Sequence, residues 1–426
     1  MKKITLLFLA AVLLLCSCSK KEEKLFTEDG REIIVLAEIE PDSNCQNAVE
    51  YFNMYSEDYY IEERDYTLYA DELYSGNEKL LMDITHGEKI DIIYTPGLDI
   101  EAYIGKNLLA DIYELMDSDS ELSGDEYVDG ILEACEVGGK LYVMPLYYSM
   151  DTTIGLTSVW GNDRDASIDN LISKSKAMGI PPIVCGSDDE AGELWTLFRG
   201  SSNSYIDFEN GVCNFTDGRF ERLLNFCGEN NLLDRSADER RQMFSDGEAL
   251  LYRVHISNIA DLDEYKSIFG PDIIFMGLPS DITNYHTLDL YESFSILEGS
   301  DSKQGAFEFI KYLTSYEYQV EQDEIGSFFS INKEIFNAYV DIELHEMTHN
   351  FFNEDGTVKI EYRCTEENAE AIIGELSTLN SNLECGETIY NIIYEESSAF
   401  FKDERSAKEV CEVIKNRVST YLSEKI

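Results

Sequence analysis

Positive charge is scarce in this chain of 426 residues: 33 lysines and arginines stand against 84 aspartates and glutamates, a formal net charge of −51. Such a surface repels phosphate backbones and anionic lipid headgroups, which argues against nucleic-acid binding. It also makes an anionic ligand less favourable than a neutral or cationic one. No C-x-x-C pair suggests zinc or redox chemistry, and neither a G-x-S-x-G elbow nor a P-loop is present. No run beyond the first residues is apolar enough to cross a membrane, and no internal repeat or low-complexity tract interrupts the chain. What is there is ample core material. A hydrophobic content of 44% with 12% aromatics separates this acidic chain from a disordered one. The length predicts two or three domains, or one bilobed unit.

Met1-Lys2-Lys3 followed by an apolar run at residues 4–15 and then Cys16-Ser17-Cys18 has the form of a secretory signal. Leu15-Cys16-Ser17-Cys18 resembles a bacterial lipobox, with Cys18 the expected lipidation site. Cys16 fits less well, because bulky Leu15 would occupy the cleavage position. The expected division is a signal peptide at 1–17 and a tether at 18–30, anchored by two or more fatty chains on the extracellular face of the bacterial cell membrane. Eight cysteines remain beyond the signal: Cys45, Cys135, Cys185, Cys213, Cys227, Cys364, Cys385 and Cys411. They are dispersed and read as small buried hydrophobes, with no particular disulfide implied.

After the tether the pattern alternates. Residues 33–39 are rich in Ile and Val, as a buried strand is. Pro41-Asp42-Ser43 breaks that run, and Cys45, Ala48, Val49 and Phe52 then recur at helical spacing. Residues 60–68 read as a second strand, 77–85 as a second helix and 90–94 as a third strand. This alternation implies parallel pairing in an open α/β sheet. In such sheets ligands bind outside the carboxyl ends of the strands, which points to Asp42 and to Tyr94 or Thr95. Gly138-Gly139 turns the chain into a segment read as a strand ending at Pro145. At the C-terminus, Ser406 and Glu409 make a capping box for a helix whose stripe is Ala407, Val410, Cys411, Ile414, Val418, Tyr421 and Leu422. That stripe is expected to dock on a second lobe.

Several ordered segments resemble the extracellular solute-binding proteins that serve carbohydrate ABC importers, a family that includes maltose-binding proteins. Leu81 to Ile93 looks like the family's helix, Gly turn and strand, with Ile90 in place of the usual proline. Asn107-Leu108-Leu109-Ala110-Asp111-Ile112 is similar to its G-L-L-x-D-L stretch, with Asn107 replacing glycine. Gly139-Lys140-Leu141-Tyr142 before Pro145 resembles the lead into the first interlobe crossing. Asp246-Gly247-Glu248-Ala249-Leu250-Leu251 is similar to a family strand, and Ser302 to Ile310 to a family helix. The resemblance implies two α/β lobes of the type II periplasmic-binding-protein fold, joined by crossing strands and a hinge. Lobe 1 is expected at 31–148 plus 292–328 and lobe 2 at 149–291 plus 329–426.

The implied function is capture of a small-molecule ligand, a sugar or oligosaccharide, by a monomer that delivers it to the transmembrane subunits of an ABC permease. No catalysis and no cofactor are implied. Sugars offer hydroxyls and apolar ring faces, so aromatic plates with a few carboxylates or amides suit them. Besides Asp42, Tyr94 and Thr95, the candidates are Tyr147 or Tyr148 at the crossing and Trp195, one of two tryptophans. Tyr252, Arg253 and His255 are expected just after a strand ending at Leu250-Leu251. Tyr291 is expected to begin the return strand at 291–297, and Phe328 lies in a loop resembling one that lines the family's cleft. A sugar-sensing lipoprotein without transport is the nearest alternative.

The sharpest competing motif is His345-Glu346-Met347-Thr348-His349, an H-E-x-x-H pattern. On a helix both histidines share one face and can bind zinc, with Glu346 activating water. A third ligand at short spacing is missing, since Phe352 and Asp355 replace the Gly and His of the extended form. The zinc metalloprotease is therefore the secondary expectation.

Overall fold

The structure is a computed structural model and describes residues 24–425, apart from 41–42, 68–74, 120–121, 123, 183–188, 200, 209, 230–234, 281–285, 322–326, 353–357 and 381–385. The signal segment, Cys18, Asp42, Cys185 and Cys385 lie outside the described residues.

A ten-stranded mixed sheet organises the chain. Its strands are β1 (Leu25–Phe26), β2 (Glu32–Glu38), β3 (Tyr59–Asp65), β4 (Ile92–Tyr94), β5 (Met144–Leu156), β6 (Tyr252–Ile256), β7 (Ile273–Phe275), β8 (His286–Ile296), β9 (Phe329–Ser330) and β10 (Leu379–Asn380). Helices α1 (Ser43–Tyr55) and α2 (Gly76–Thr85) connect β2 to β3 and β3 to β4, and β2 pairs in parallel with both. Ile34, Val35, Leu36 and Ala37 are wholly buried, so β2 is covered on both faces as a parallel strand requires.

Two long antiparallel strands, β5 and β8, run from one half of the sheet into the other. The first half of β5 borders β9 and the rest borders β6 and then β7. The end of β8 borders β4, whereas its start borders β10. All thirteen residues of β5 are buried. The molecule is thus bilobed, with β1 to β4 in one half and β6, β7 and β10 in the other. The helices of the second half, α3 (Glu190–Arg199) and α4 (Arg219–Glu229), gather round Phe198, Phe215 and Phe220. The C-terminal helices α5 (Glu387–Phe401) and α6 (Ala407–Lys425) close that cluster with Ile389, Ile393, Val410, Ile414 and Val418. The Ser406 capping box is present, its hydroxyl taking the Glu409 amide at 3.3 Å.

Several expectations shift. Pro145 stands near the start of β5, not at the end of a strand, because the apolar and hydroxylic run after it pairs with β8. Leu250-Leu251 precede β6 and are packed in loop, with the Leu250 carbonyl accepting the Trp160 indole N–H at 2.8 Å. Tyr252, Arg253 and His255 are the strand itself. The return strand begins at His286, so Tyr291 lies in its middle. Asn107 holds φ +54°, a left-handed conformation that asparagine tolerates in place of glycine. Cys45, Cys135, Cys213, Cys227, Cys364 and Cys411 are free thiols, five of them buried.

The H-E-x-x-H pattern does not form one helical face. The helix Lys333–His345 stops at the first histidine, and His349 opens the strand His349–Phe352 of a hairpin with Val358–Tyr362. His349 Nε2 meets the wholly buried Glu343 carboxylate at 2.6 Å, while His345 is exposed. No group of three or more His, Cys, Asp or Glu fit to hold a metal occurs among the described residues.

Candidate functional site

The parallel strands end at one side of the first lobe, and there a cavity of about 1190 Å³ opens against the second. Ile39 and Glu40 enter it after β2, Thr67 after β3, and Tyr94, Pro96 and Gly97 after β4. Ser75, which caps α2, adds its turn, and Lys106 stands at the rim. The facing wall is Thr388 and Asn391 of α5 with Tyr421 of α6. The lining therefore mixes hydroxyls, amides and carboxylates with the Tyr421 ring. That mixture suits a neutral, hydroxyl-rich guest, and the volume exceeds the few hundred Å³ sufficient for small ligands.

Asp99 and Glu101, both buried, connect the walls. Thr388 Oγ1 donates to Asp99 Oδ2 at 2.8 Å, and the Tyr421 hydroxyl reaches Asp99 Oδ2 at 2.7 Å and Glu101 Oε1 at 2.9 Å.

A second polar cluster, largely buried, lies on the crossing strands. Directly opposed residues share a face, so Tyr147 and Tyr291, Ser149 and Asp289, and Asp151 with Thr287 and His255 form one ribbon. Arg253 Nε lies 2.8 and 2.9 Å from the two oxygens of Asp151. Arg199, at the end of α3, bonds Asp289 at 2.5 Å and stands 3.5 Å from Asp151. Burial pushes the Asp289 carboxyl above the usual carboxylate range, with Asp151 adding to the shift and Arg199 opposing it. The Tyr291 ring stacks on Phe328 with centroids 3.9 Å apart, and burial raises its phenol. Glu292, next in the strand, has φ +46°. A non-glycine residue there stores about 1–3 kcal/mol of backbone strain at the crossing.

The sequence-derived candidates separate accordingly. Tyr94 borders the cavity but is buried, its ring packed on Phe294 with centroids 5.3 Å apart, whereas Thr95 turns to Ser293, hydroxyl to hydroxyl at 2.5 Å. Both Tyr147 and Tyr148 are buried, and Tyr148 packs on Phe329 with centroids 5.5 Å apart. Trp195 meets Tyr390 edge-on at 5.1 Å in the second lobe's helical cluster. Tyr252 packs between Phe244 and Phe269. His255 is exposed, and its carbonyl accepts the Tyr265 hydroxyl at 3.1 Å. Tyr291 and Phe328 form the stacked pair at the crossing. Asp99, Thr388, Asn391, Arg199, Asp151 and Asp289 were not anticipated. Asp99 follows the Tyr94 loop by a few residues, so extending that loop to the next helix start finds it. Thr388 and Asn391 carry no local signal. Tyr421 was counted as core, yet its hydroxyl faces away from the stripe.

A sequence family described as bacterial extracellular solute-binding protein matches residues 68–320, more than half of the chain. The sugar-binding protein MalE from Xanthomonas citri superposes with a TM-score of 0.56 at 12% identity, over 92% of this chain and 98% of that one. A putative oligosaccharide periplasmic-binding protein from Synechococcus sp. MITs9220 gives 0.55 at 13% identity, over 92% and 99%. An ABC transporter solute-binding protein from Thermotoga lettingae, bound with α-D-tagatose, gives 0.52 at 11% identity, over 92% and 99%. At such identities the likeness is one of fold. No curated protein matches the chain.

Proposed function

The chain belongs to the bacterial extracellular solute-binding proteins, and from that premise we propose that it captures a sugar or oligosaccharide between its lobes and delivers it to an ABC permease. The observation that carries the reading is the polar cavity outside the carboxyl ends of the parallel strands, walled by both lobes. Capture and release need no covalent chemistry, so the protein acts as a binder and not as an enzyme. Lobe 1 comprises 31–148 plus 292–328 and lobe 2 comprises 149–291 plus 329–426. The crossing strands between them serve as the hinge, and closure reports occupancy because the guest contacts both walls.

Asn391 contacts the sugar in the cavity, beside the backbone that follows Tyr94, and Asp42, which follows β2 in sequence, is proposed as a further contact. Tyr291 and Phe328 offer a ring face nearer the hinge. Cys18 carries the lipid that holds the monomer on the outer face of the cell membrane. Support for anchorage comes from the lipobox-like sequence, and among the described residues no helix is long and apolar enough to cross a membrane.

The test is a thermal-shift screen of mono- and oligosaccharides on purified protein. A sugar at a hundred times its dissociation constant adds about 2.7 kcal/mol to stability. A shift that saturates and survives chelator supports the reading. Absence of a shift across neutral mono- and oligosaccharides overturns it.

A further inference from the structure

The helix α6 buries Val410, Ile414, Val418 and Leu422 in the second lobe's apolar cluster, yet Tyr421 sends its hydroxyl the other way, onto Asp99 and Glu101 of the first lobe. The Gly386 amide, at the start of α5, donates to Glu101 Oε1 at 3.1 Å, and the Thr388 hydroxyl donates to Asp99. Three donors on one pair of helices, the Tyr421 and Thr388 hydroxyls and the Gly386 amide, thus reach two buried carboxylates. Contacts to charged acceptors are the stronger ones, and a buried carboxylate deprived of its donors is costly. Gly386 is also required for its lack of bulk. A Cβ built there collides with Asp99 Oδ1 and with both oxygens of Glu101.

We propose that Asp99 and Glu101 form an interlobe latch, engaged by Tyr421, Thr388 and the Gly386 amide, which sets how closely the two lobes approach. All its donors and acceptors belong to the protein, so it biases the hinge toward closure even when the cavity is empty. Its strength tunes the open–closed balance against which any guest acts. The proposal rests on the bilobed fold and not on the identity of the ligand.

The experiment uses purified protein without sugar. Tyr421→Phe removes one hydroxyl and keeps the ring, whereas Gly386→Ala pushes the walls apart. Small-angle X-ray scattering is expected to give a larger radius of gyration for both variants. Hydrogen exchange of the Gly386 amide is expected to quicken at least about tenfold in Tyr421→Phe, as loss of one charge-assisted bond implies. Wild-type radius and exchange in Tyr421→Phe overturn the latch. Glu101→Gln provides a second test, with the same expected and contrary readings. A sugar screen plays no part here, so failure of the latch and failure of the sugar reading are distinguishable.

Discussion

Arg253 grips Asp151 from the neighbouring strand, its Nε at 2.8 and 2.9 Å from the two carboxylate oxygens, where β5 passes from one lobe into the other. Asp151 is 1% exposed, so its charge depends on that guanidinium and on Arg199 at 3.5 Å. Removing one partner of a buried pair leaves an uncompensated charge and costs about 3–5 kcal/mol. Arg253→Ala is therefore expected to lower unfolding free energy by roughly 3 kcal/mol, the low end, because Arg199 remains. Arg219→Ala, which breaks a more exposed pair with Asp217, is expected to cost at most about 1 kcal/mol. Urea denaturation of the two variants checks the contrast, and equal losses contradict it.

Asp261 predicts a pH dependence. Burial pushes its carboxyl up from the ordinary 3.8 to about 7, with the Glu264 and Glu343 carboxylates adding to the shift and the Asn258 and Ser257 amides opposing it. Between those two values the folded protein holds a proton that the unfolded chain has released. Stability from this group is therefore full below about pH 4 and is lost as pH rises toward about 7. The slope approaches 1.36 kcal/mol per pH unit at its steepest, about one proton's worth. Asp261→Asn keeps an acceptor for the two amides and removes the titration. Wild type minus variant, followed by urea midpoints from pH 4 to 8, is expected to fall with pH. Parallel curves contradict the assignment.

The two histidines of the H-E-x-x-H pattern are expected to behave differently. His349 is one of three partners of the buried Glu343, with Tyr339 and with Asn258 at 3.2 Å. His349→Ala is expected to cost about 1–3 kcal/mol, the penalty of a buried charged acceptor losing a donor. His345, mostly exposed, is expected to change stability by less than about 0.5 kcal/mol when replaced by alanine. A metal shared by both would make the two losses equal and chelator-sensitive. Thermal melts with and without chelator distinguish the cases.

Local pattern revealed the elements and the parallel pairing of β2 to β4, and left the pairing of the crossing strands open. The alternation of β2, α1, β3, α2 and β4 was legible because each run has its own period, and the last helix because its stripe and capping box agree. The crossing strands were only half legible. Residues 286–290 alternate Leu with polar residues, and their burial comes from pairing with β5, a partner more than a hundred residues away. The H-E-x-x-H segment misled for the same reason: spacing does not say where a helix stops. In the cavity, Tyr94 followed from the rule about strand ends. Asn391 and Thr388 come from a helix that is held beside the cavity by packing within the second lobe, and Tyr252 and Trp195 were drawn into aromatic packing that their neighbours in sequence do not announce.

The last prediction asks whether one guest touches both walls. Lys106 and Asn391 are exposed, stand on opposite lobes and line the same cavity, so neither change should disturb a core. If a sugar closes the hinge, it must bind the closed arrangement better than the open one, which requires contacts from both sides. Loss of one hydrogen bond of about 1 kcal/mol corresponds to roughly a fivefold weaker dissociation constant. Lys106→Met and Asn391→Ala are each expected to weaken the best sugar by about that factor while leaving the melting temperature without sugar unchanged. Titration calorimetry on the two variants provides the measurement. A guest held by one lobe alone responds to one substitution and not to the other, and then closure cannot be the signal that a permease reads.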